Sequence, residues 1–230
     1  MNKNREIKEF IYSENYDDVY FPHSKPIEST LYSFHNPCLI SQKFNSGKSL
    51  VISELGFGTG LNLVLAKNMM NVNKFGRLNF ISCEKFPLKK EQIIENYNNL
   101  GLRSDFTDEL GEKISDLQVG WNKISFTTSP QVSLAVFYGE VIKALDTWPV
   151  LESSLLCDAW FLDGFAPSKN PDMWSDEVLE KVSKNSSPGT MLSSWTAVGR
   201  VRRKLAEVGF DVKKIKGYPP KRNSLVAVKL

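Results

Sequence analysis

An acidic residue followed by three alternating glycines is the strongest chemical signal in this sequence, in the segment 54–60, Glu-Leu-Gly-Phe-Gly-Thr-Gly. Glycines let the backbone turn tightly and let a ligand lie against bare main chain. The spacing differs from the G-x-G-x-x-G of dinucleotide sites, where a pyrophosphate meets a helix N-terminus. A preceding carboxylate suits a cationic ligand, such as the sulfonium and amino group of S-adenosylmethionine. The segment therefore favours a methyltransferase over a dehydrogenase.

A second candidate for chemistry is Asp163, which directly follows the apolar segment 159–162. If that segment is a strand of a parallel sheet, Asp163 lies at its carboxyl end, where such sheets bind ligands. Methyl transfer to nitrogen requires a neutral amine with an aligned lone pair and the exclusion of water. A carboxylate can accept an amine hydrogen, hold the lone pair in line and take up the released proton. Asp163 is therefore the predicted catalytic residue.

Two further acids follow predicted strands. Glu84 ends the strand after the glycine segment, where an acid accepts hydrogen bonds from ribose hydroxyls. The alternative is a surface acid beside Lys85. Glu140 follows Gly139 after a third strand, where a carboxylate can receive the adenine amino group, although a glycine–acid pair is also a common turn.

Aromatic residues surround the predicted catalytic acid in the sequence. Phe165 or Trp174 can stack on a planar substrate, and the alternative for Trp174 is an anchor in the core. Asp158 precedes the strand and is predicted to be structural or exposed.

The elements that position these residues alternate along the chain. Strands are predicted at 49–54, 78–83, 124–128, 132–138, 159–162, 190–195, 210–216 and 224–229. Helices are predicted at 60–70, 88–100, 107–117, 141–145, 174–185 and 199–208. This alternation indicates a mostly parallel sheet with helices on both faces, closed by an antiparallel pair. The predicted fold is α/β, a Rossmann-like class I S-adenosylmethionine-dependent methyltransferase.

The domain organisation is predicted to be a single globular unit. Residues 1–48 are read as an N-terminal extension that packs on the core and covers a sheet edge or walls a pocket, with strand character at 31–34. Residues 49–230 form the methyltransferase domain, with an insertion at about 88–131.

Composition narrows the class of protein further. The 230 residues are 41% hydrophobic and 24% charged, as in an ordinary globular protein. No apolar run reaches the roughly 20 residues that span a bilayer, and no signal-peptide core precedes the domain. The three cysteines are isolated and the two histidines, His23 and His35, form no metal-ligand pattern with them. We therefore expect a cytoplasmic protein without a metal or a membrane partner.

Positive charge is concentrated near the C-terminus. Residues 199–222 contain nine basic and two acidic side chains in a chain whose net charge is +3. Such a segment is typical of contact with a phosphate backbone, and equally of a solvated helix face and strand edge.

Several longer motifs resemble one known family, the methyltransferase domain of the bacterial MnmC proteins and its standalone MnmD-type form. The most specific match is the segment 158–174, Asp-Ala-Trp-Phe-Leu-Asp-Gly-Phe-Ala-Pro-Ser-Lys-Asn-Pro-Asp-Met-Trp. The other matching segments are 17–21, 54–62, 83–88, 201–205, 209–210, 216–217 and 221–222. The resemblance spans about residues 16 to 228.

This resemblance implies a specific reaction. The family transfers a methyl group from S-adenosylmethionine to the primary amine of 5-aminomethyluridine, often 2-thiolated, at wobble position 34 of tRNA, and the product is 5-methylaminomethyluridine. In two-domain relatives a C-terminal FAD-dependent oxidase first removes carboxymethyl from the amine. This sequence ends at Leu230 without a second glycine-rich dinucleotide motif. We therefore expect the methyltransferase alone, no flavin, and an aminomethyl group supplied by separate enzymes.

The resemblance also assigns residues, with Asp163 facing the amine. The expected cofactor-binding residues are Glu54, Gly56, Phe57, Gly58, Thr59, Gly60, Asn62, Glu84, Lys85, Glu140 and Asp163. The expected substrate contacts near the amine are Phe165, Pro167 and Trp174. The candidate phosphate contacts to the anticodon region of tRNA are Arg200, Arg202, Arg203, Lys221 and Arg222. Many relatives carry Asp in place of Glu140, and a shorter-side-chain glycine-rich loop at 217–223.

Two other functions stay open at this point. The enzyme can act on a free small-molecule amine or carboxylate, which competition by an anticodon stem-loop would distinguish. A catalytically silent RNA-binding module of the same fold is the other alternative, and the intact Glu54, glycine loop and Asp163 argue against it.

Overall fold

The computed structural model describes residues 11–21, 25–70, 76–148 and 157–230. Residues 11–21 form a small ribbon, and residues 25–45 contain three short helical elements that precede the main sheet. These are β1 (Tyr12–Ser13), β2 (Asp18–Val19), α1 (Pro26–Thr30), a π-helical turn (Leu31–His35) and α2 (Ile40–Asn45). His23 lies in the short range 22–24, which is outside the described residues.

The strand expected at 31–34 is wrong, because Leu31–His35 is helical. A short apolar run does not distinguish strand from helix by its periodicity. Packing decides here, since the ring of Phe34 lies against that of Phe161 with centroids 5.5 Å apart. The Tyr32 hydroxyl donates a hydrogen bond to the carbonyl of Lys216 at 3.1 Å on the outer side.

The main sheet has eight strands, connected mostly through helices. Its strands are β3 (Leu50–Leu55), β4 (Leu78–Glu84), β5 (Gly120–Ser125), β6 (Val132–Tyr138), β7 (Ala159–Leu162), β8 (Met191–Ser194), β9 (Phe210–Lys216) and β10 (Asn223–Lys229). The helices are α3 (Leu61–Met69), α4 (Lys90–Leu100), α5 (Asp105–Ser115), α6 (Val141–Asp146), α7 (Asp176–Lys184) and α8 (Gly199–Glu207), with a 3₁₀ turn at Asp172–Trp174.

The strand order is β5-β6-β4-β3-β7-β8-β10-β9. The strands β6, β4, β3, β7 and β8 are parallel, whereas β5 and β10 run antiparallel to their neighbours. Strand order reverses between β3 and β7, so the crevice outside the carboxyl ends of these two strands is the expected ligand site. The α/β prediction and its antiparallel closing pair are confirmed.

Two apolar layers cover the sheet, one on each face. Successive side chains along a strand point to opposite faces of the sheet. Ile52 and Phe161 belong to the apolar layer on one face, and Leu55 and Trp160 belong to the layer on the other. Every residue of β3 is buried, as expected for a central parallel strand covered on both sides. This packing fixes the strand ends that carry the acidic residues.

Most predicted elements are shifted by a residue or two, and the hairpin shows the largest difference. Its first strand was expected to begin at Ile124 but begins at Gly120. The Trp121 ring packs edge-on against Phe137 and Trp148, which extends the pairing toward Gly120. Among the described residues, no helix is long and apolar enough to cross a bilayer.

Candidate active site

The glycine turn joins the end of β3 to the start of α3. Gly56, Gly58 and Gly60 have φ values of +91°, +55° and +77°. A β-carbon on Gly56 would fall on the main-chain carbonyl of Asp163 at the end of β7. Because a left-handed φ and a filled space both exclude a side chain there, glycine is required at Gly56. The turn thus brings the ends of β3 and β7 together.

Glu54 is buried beneath this turn with both carboxylate oxygens hydrogen-bonded. Oε1 accepts from the Asn62 amide nitrogen at 2.8 Å, and Oε2 accepts from the Ser82 hydroxyl at 2.9 Å. Burial raises the pKa of Glu54 well above its usual range, and the nearby Asp163 carboxyl raises it further. The hydrogen bonds from Asn62 and Ser82 act in the opposite direction. Glu54 does not line the cavity, so its expected contact with the cofactor stays a prediction, and in the structure it joins β3 to Asn62 and Ser82 beneath the turn.

Asp163 faces the crevice from the end of β7. Its Oδ2 accepts a hydrogen bond from the Asn62 amide nitrogen at 2.8 Å. Within the described part of the chain, Oδ1 has no hydrogen-bond partner. Burial raises the pKa of Asp163 to about 7, against the opposing effects of the Asn62 hydrogen bond and the Lys221 charge. A carboxyl with this pKa can exchange a proton near neutral pH.

Glu84 holds the backbone of the glycine turn from the end of β4. Its carboxylate accepts from the backbone N–H of Gly58 at 2.8 Å and of Phe86 at 2.9 Å. Burial raises the pKa of Glu84, and these backbone donors oppose that effect. Lys85 forms an ion pair of 2.9 Å with Glu140, which follows β6. The acids expected after the second and third strands therefore lie along one side of the crevice.

A cavity of about 430 Å³ occupies the crevice. One end is lined by the residues that the sequence assigned to the cofactor, namely Gly56, Phe57, Gly58, Thr59, Asn62, Glu84, Lys85 and Glu140. The other end is lined by Asp163, Phe165, Trp195, Tyr218, Lys221 and Ser224. Gly60 does not line the cavity, and the Phe57 ring lies next to the position that a β-carbon on Gly60 would take. The cavity size is that of a site for small molecules.

Residues of the first described segment form an aromatic wall of this cavity. Tyr16 stacks on Phe165 with ring centroids 4.6 Å apart, and Tyr20 contacts the same ring edge-on at 5.2 Å. Burial raises the pKa of Tyr16 to about 12, so its hydroxyl stays protonated. The sequence predicted that this segment can wall a pocket but named neither tyrosine. Their position beside acidic residues at 15–21 was the available signal.

Lys221 lies inside the cavity, which differs from its expected role as a surface phosphate contact. Its Nζ is 3.0 Å from the centroid of the Trp195 ring. Burial lowers the pKa of Lys221 to about 8, against the charges of Asp163 and Asp18. The Trp195 indole donates to the carbonyl of Gly164 at 3.1 Å. Sequence reasoning missed Trp195, which it placed inside the strand predicted at 190–195, whereas β8 ends at Ser194 and Trp195 directly follows it.

Ser224 contributes a polar atom to the same end of the cavity. It is 1% exposed, and its hydroxyl has no hydrogen-bond partner among the described residues. A buried hydroxyl without a partner is costly unless a ligand or water satisfies it. Ser224 is thus a candidate contact for a polar substrate, and the sequence offered no signal for it.

Trp174 and Pro167 do not line the cavity. The expectation that Trp174 stacks on a substrate is wrong, because the ring is fully buried. Its indole donates to the carbonyl of Phe165 at 2.9 Å, so it supports the wall from behind. Asp158 is structural as expected, since its carboxylate accepts from the Val51 backbone N–H at 2.8 Å.

The predicted phosphate-binding arginines differ in their surroundings. Arg200 pairs with Asp176 at 2.9 Å, and Arg202 donates to the carbonyl of Ala197 at 3.1 Å. Arg203 and Arg222 are exposed, and their guanidinium groups have no hydrogen-bond or ion-pair partner among the described residues. These two side chains are therefore free to contact an anionic partner.

The crevice fits S-adenosylmethionine by the chemistry of its residues. Gly56 and Gly58 line the cavity with main chain that carries no side chain, Glu84 offers acceptors for ribose hydroxyls, and Glu140 offers an acceptor for an amine. Across the described residues there is no cluster of His, Cys, Asp and Glu that could hold a metal ion.

A parallel sheet with this strand order, a glycine turn after its first long strand and acids at the next strand ends defines a class I S-adenosylmethionine-dependent methyltransferase. Sequence comparison gives the same class. A family model described as S-adenosyl-L-methionine-dependent methyltransferase matches residues 104–230. The chain belongs to this family, and S-adenosylmethionine is its cofactor.

The relatives found by comparison are bacterial proteins of tRNA modification. The chain is 38% identical, over 91% of its length, to the tRNA 5-methylaminomethyl-2-thiouridine biosynthesis bifunctional protein MnmC of Pseudomonas entomophila. It is 36% identical, over 94% of its length, to the protein of the same name from a Marinomonas species. The chain spans 32% of the length of each of these proteins.

A solved structure agrees over nearly the whole chain. The crystal structure of MnmC2 from Aquifex aeolicus superposes with a TM-score of 0.74 and 26% sequence identity. The superposition covers 95% of this chain and 66% of the Aquifex chain. The chain is therefore similar in fold and sequence to proteins of the MnmC type.

Proposed function

We propose that this protein transfers the methyl group of S-adenosylmethionine to the primary amine of a 5-aminomethyluridine, with or without a 2-thio group, at the wobble position of tRNA. The observation that carries the proposal is Asp163, which presents a free carboxylate oxygen to the cavity beside the glycine turn. The similarity to MnmC supports the choice of substrate, since that protein's name specifies 5-methylaminomethyl-2-thiouridine biosynthesis in tRNA.

Asp163 has two tasks in this reaction. An alkylammonium has no lone pair to attack a methyl group, so it must first lose a proton, which the Asp163 carboxylate can accept. The two hydrogens of the neutral amine can then donate to the carbonyl oxygen of the protonated Asp163 carboxyl, which orients the lone pair. S-adenosylmethionine, when bound, supplies an electrophilic methyl group on a sulfonium centre. The aromatic wall of Tyr16, Tyr20 and Phe165 excludes water from this end of the cavity.

The uracil ring that carries the aminomethyl group is planar and polar, and the protein must also recognise this ring. Phe165 offers an aromatic ring to the cavity, Lys221 lies over the Trp195 ring, and Ser224 offers an unpartnered hydroxyl. Stacking on aromatic rings is how proteins hold bases displaced from a nucleic acid helix. We propose that Phe165 stacks on the uracil ring and that Lys221, held over Trp195, and Ser224 contact its polar edge.

The surface around the C-terminal segment supplies positive charge for the nucleic acid. Arg203 and Arg222 are the proposed phosphate contacts in the anticodon region, whereas Arg200 and Arg202 are engaged within the protein. A tRNA substrate would place the reaction in the cytoplasm. The aminomethyl group would come from a separate modification enzyme.

The direct test uses tRNA from cells that lack the methylamino modification. The protein is incubated with this tRNA and S-adenosylmethionine, and nucleoside mass spectrometry follows conversion of 5-aminomethyluridine to 5-methylaminomethyluridine. Conversion that is lost in Asp163→Asn would support substrate, reaction and site together.

Absence of conversion, with cofactor binding shown by calorimetry and 5-aminomethyluridine shown in the tRNA, would refute the proposed substrate. A parallel reaction with free 5-aminomethyluridine separates a tRNA enzyme from a small-molecule enzyme. Equal rates on the free nucleoside and on tRNA would favour the small-molecule enzyme.

A further inference from the structure

The Asn62 side chain is the centre of a buried hydrogen-bond network. Its amide nitrogen donates to Glu54 Oε1 and to Asp163 Oδ2, each at 2.8 Å. Its amide oxygen lies 3.0 Å from Nε2 of His35. An amide nitrogen has two hydrogens, so both are used by the two carboxyl groups. The network therefore links the π-helical turn to the catalytic acid.

His35 is 1% exposed, and its second ring nitrogen is an orphan. Among the described residues, Nδ1 has no hydrogen-bond partner. An amide oxygen only accepts hydrogen bonds, so Nε2 must carry the hydrogen and Nδ1 must be bare. Burial lowers the pKa of His35 to about 4, which keeps the ring neutral. The ring also packs on Phe161, with centroids 5.0 Å apart, which fixes its plane.

The tautomer of His35 and the orientation of the Asn62 amide determine each other. If the amide were turned over, its oxygen would face two carboxyl groups and its nitrogen would face His35. Two hydrogen bonds to acidic oxygens would be lost, and the unmatched acceptors would remain buried. A donor at Nε2 of His35 excludes that arrangement, because it would meet the amide nitrogen.

We propose that His35 is a positioning residue for methyl transfer: its Nε2–H holds the Asn62 amide with the nitrogen toward Asp163, which fixes Oδ2 and leaves Oδ1 for the acceptor amine. The effect on catalysis depends on the proposed function, whereas the geometry does not. The charged and titratable groups that face Asp163 are Glu54 from β3 and Lys221 from the turn before β10. The Glu84 charge raises the pKa of Glu54, and the Asp18 charge raises the pKa of Lys221.

The first experiment observes the ring directly and needs no substrate. The chain has two histidines, so a His23→Asn background labelled with ¹⁵N-histidine leaves one imidazole in the spectrum. The expected result is a hydrogen on Nε2 and a bare Nδ1, unchanged between pH 5.5 and 8. The opposite tautomer, or titration near the ordinary value of about 6.5, would overturn the proposal.

The second experiment separates positioning from mere filling of space. His35→Leu removes the donor, whereas His35→Gln places an amide nitrogen near the position of Nε2. We expect His35→Leu to lower kcat by up to about 100-fold, the scale of a misplaced reacting group. The acid limb of its pH–rate profile should move to higher pH, because loss of a fixed hydrogen bond to the carboxylate raises the pKa of Asp163. His35→Gln should restore both kcat and the acid limb.

The control is Ile40→Val, a conservative change at a fully buried position of α2 outside the network. It should lower stability slightly and leave the acid limb in place. Calorimetry should give each variant a cofactor affinity within a few-fold of the original. An acid limb that moves equally in Ile40→Val, or a failure of His35→Gln to restore it, would overturn the proposal. If no variant or parent methylates tRNA, the proposed function fails and the tautomer measurement still decides the role of His35.

Discussion

The main-chain carbonyl of Asp163 occupies the space that a β-carbon on Gly56 would fill. This contact joins the end of β7 to the end of β3, and it places the backbone of the proposed catalytic residue directly against the glycine turn. The glycine motif therefore has two functions. It leaves main chain bare for a ligand, and it sets the distance between two strand ends.

Gly56→Ala should abolish cofactor binding. The added β-carbon meets backbone rather than a flexible side chain, and the residue has a left-handed φ of +91°. Gly101→Ala is the matched control, because Gly101 also has a positive φ, of +68°, with no atom within 4 Å of the new β-carbon. The control should lose about 1 kcal/mol of stability and retain binding in calorimetry. Equal losses of binding in both variants would show that backbone strain alone, and not the contact with Asp163, is responsible.

Asp163→Asn should lower turnover by roughly 10²–10⁴-fold, the range for a group that handles a proton. Cofactor affinity should stay within a few-fold, because Glu54 and the glycine turn are unchanged. Single-turnover kinetics and calorimetry measure the two effects separately. Asp116→Asn, an exposed acid after α5, serves as the control. Full turnover in Asp163→Asn would remove this residue from the mechanism.

Lys221→Met should move the acid limb of the pH–rate profile to higher pH. The Lys221 charge lowers the pKa of Asp163, which is about 7 with that charge present. Without it the carboxyl stays protonated to a higher pH, and the base is available over a narrower range. Lys216→Met, at an exposed position of β9, should leave the profile unchanged. An unmoved limb in Lys221→Met would mean that Asp163 does not titrate in the rate profile.

Asp163 and His35 should affect stability with opposite dependence on pH. The folded pKa of Asp163 is raised from 3.8 to about 7, so between these values the folded protein holds the extra proton. The free energy of unfolding therefore falls as pH rises through that window. The folded pKa of His35 is lowered from 6.5 to about 4, so the unfolded chain holds the extra proton and stability rises with pH.

Urea unfolding at a series of pH values tests both signs. Asp163→Asn should remove the falling component between about pH 4 and 7, and His35→Gln should remove the rising component between about pH 4 and 6.5. A slope that changes in the opposite direction in either variant would contradict the assigned protonation state of that residue in the folded protein.

The double variant Arg203→Ala/Arg222→Ala should weaken tRNA binding more than Arg200→Ala does. Arg203 and Arg222 are exposed, whereas Arg200 is paired with Asp176 at 2.9 Å. Each lost phosphate contact should lower the slope of log K against log salt concentration by about 1. Filter binding at several salt concentrations measures this slope. A slope unchanged in the double variant would place the tRNA on another surface.

Much of the cofactor end of the site could be predicted from the sequence, because its signals are local. The glycine turn follows directly on a buried strand, Glu84 is the last residue of β4, and Asp163 directly follows β7. Parallel strands align their carboxyl ends at one edge of the sheet, so the pattern of apolar runs is sufficient to bring these residues together. The residue roles assigned from the motifs stay predictions until the variants are measured.

The other end of the cavity depends on segments that are distant in sequence. The basic run around Lys221 predicted a surface role, yet the lysine is directed into the cavity over Trp195. The aromatic sequence at 158–174 does not by itself separate Phe165, which lines the cavity, from Trp174, which is buried behind it. Both outcomes depend on which layer of the fold covers the side chain.

The sequence by itself determined the fold class, the glycine turn and the acids at the strand ends, because hydrophobic periodicity and glycine conformation are properties of short segments. Only the tertiary structure decided that Leu31–His35 is helical and that His35 meets Asn62, 27 residues away, and through it Asp163, a further 101 residues along. Contacts of that kind arise when separately formed elements pack, and no local pattern specifies their partners.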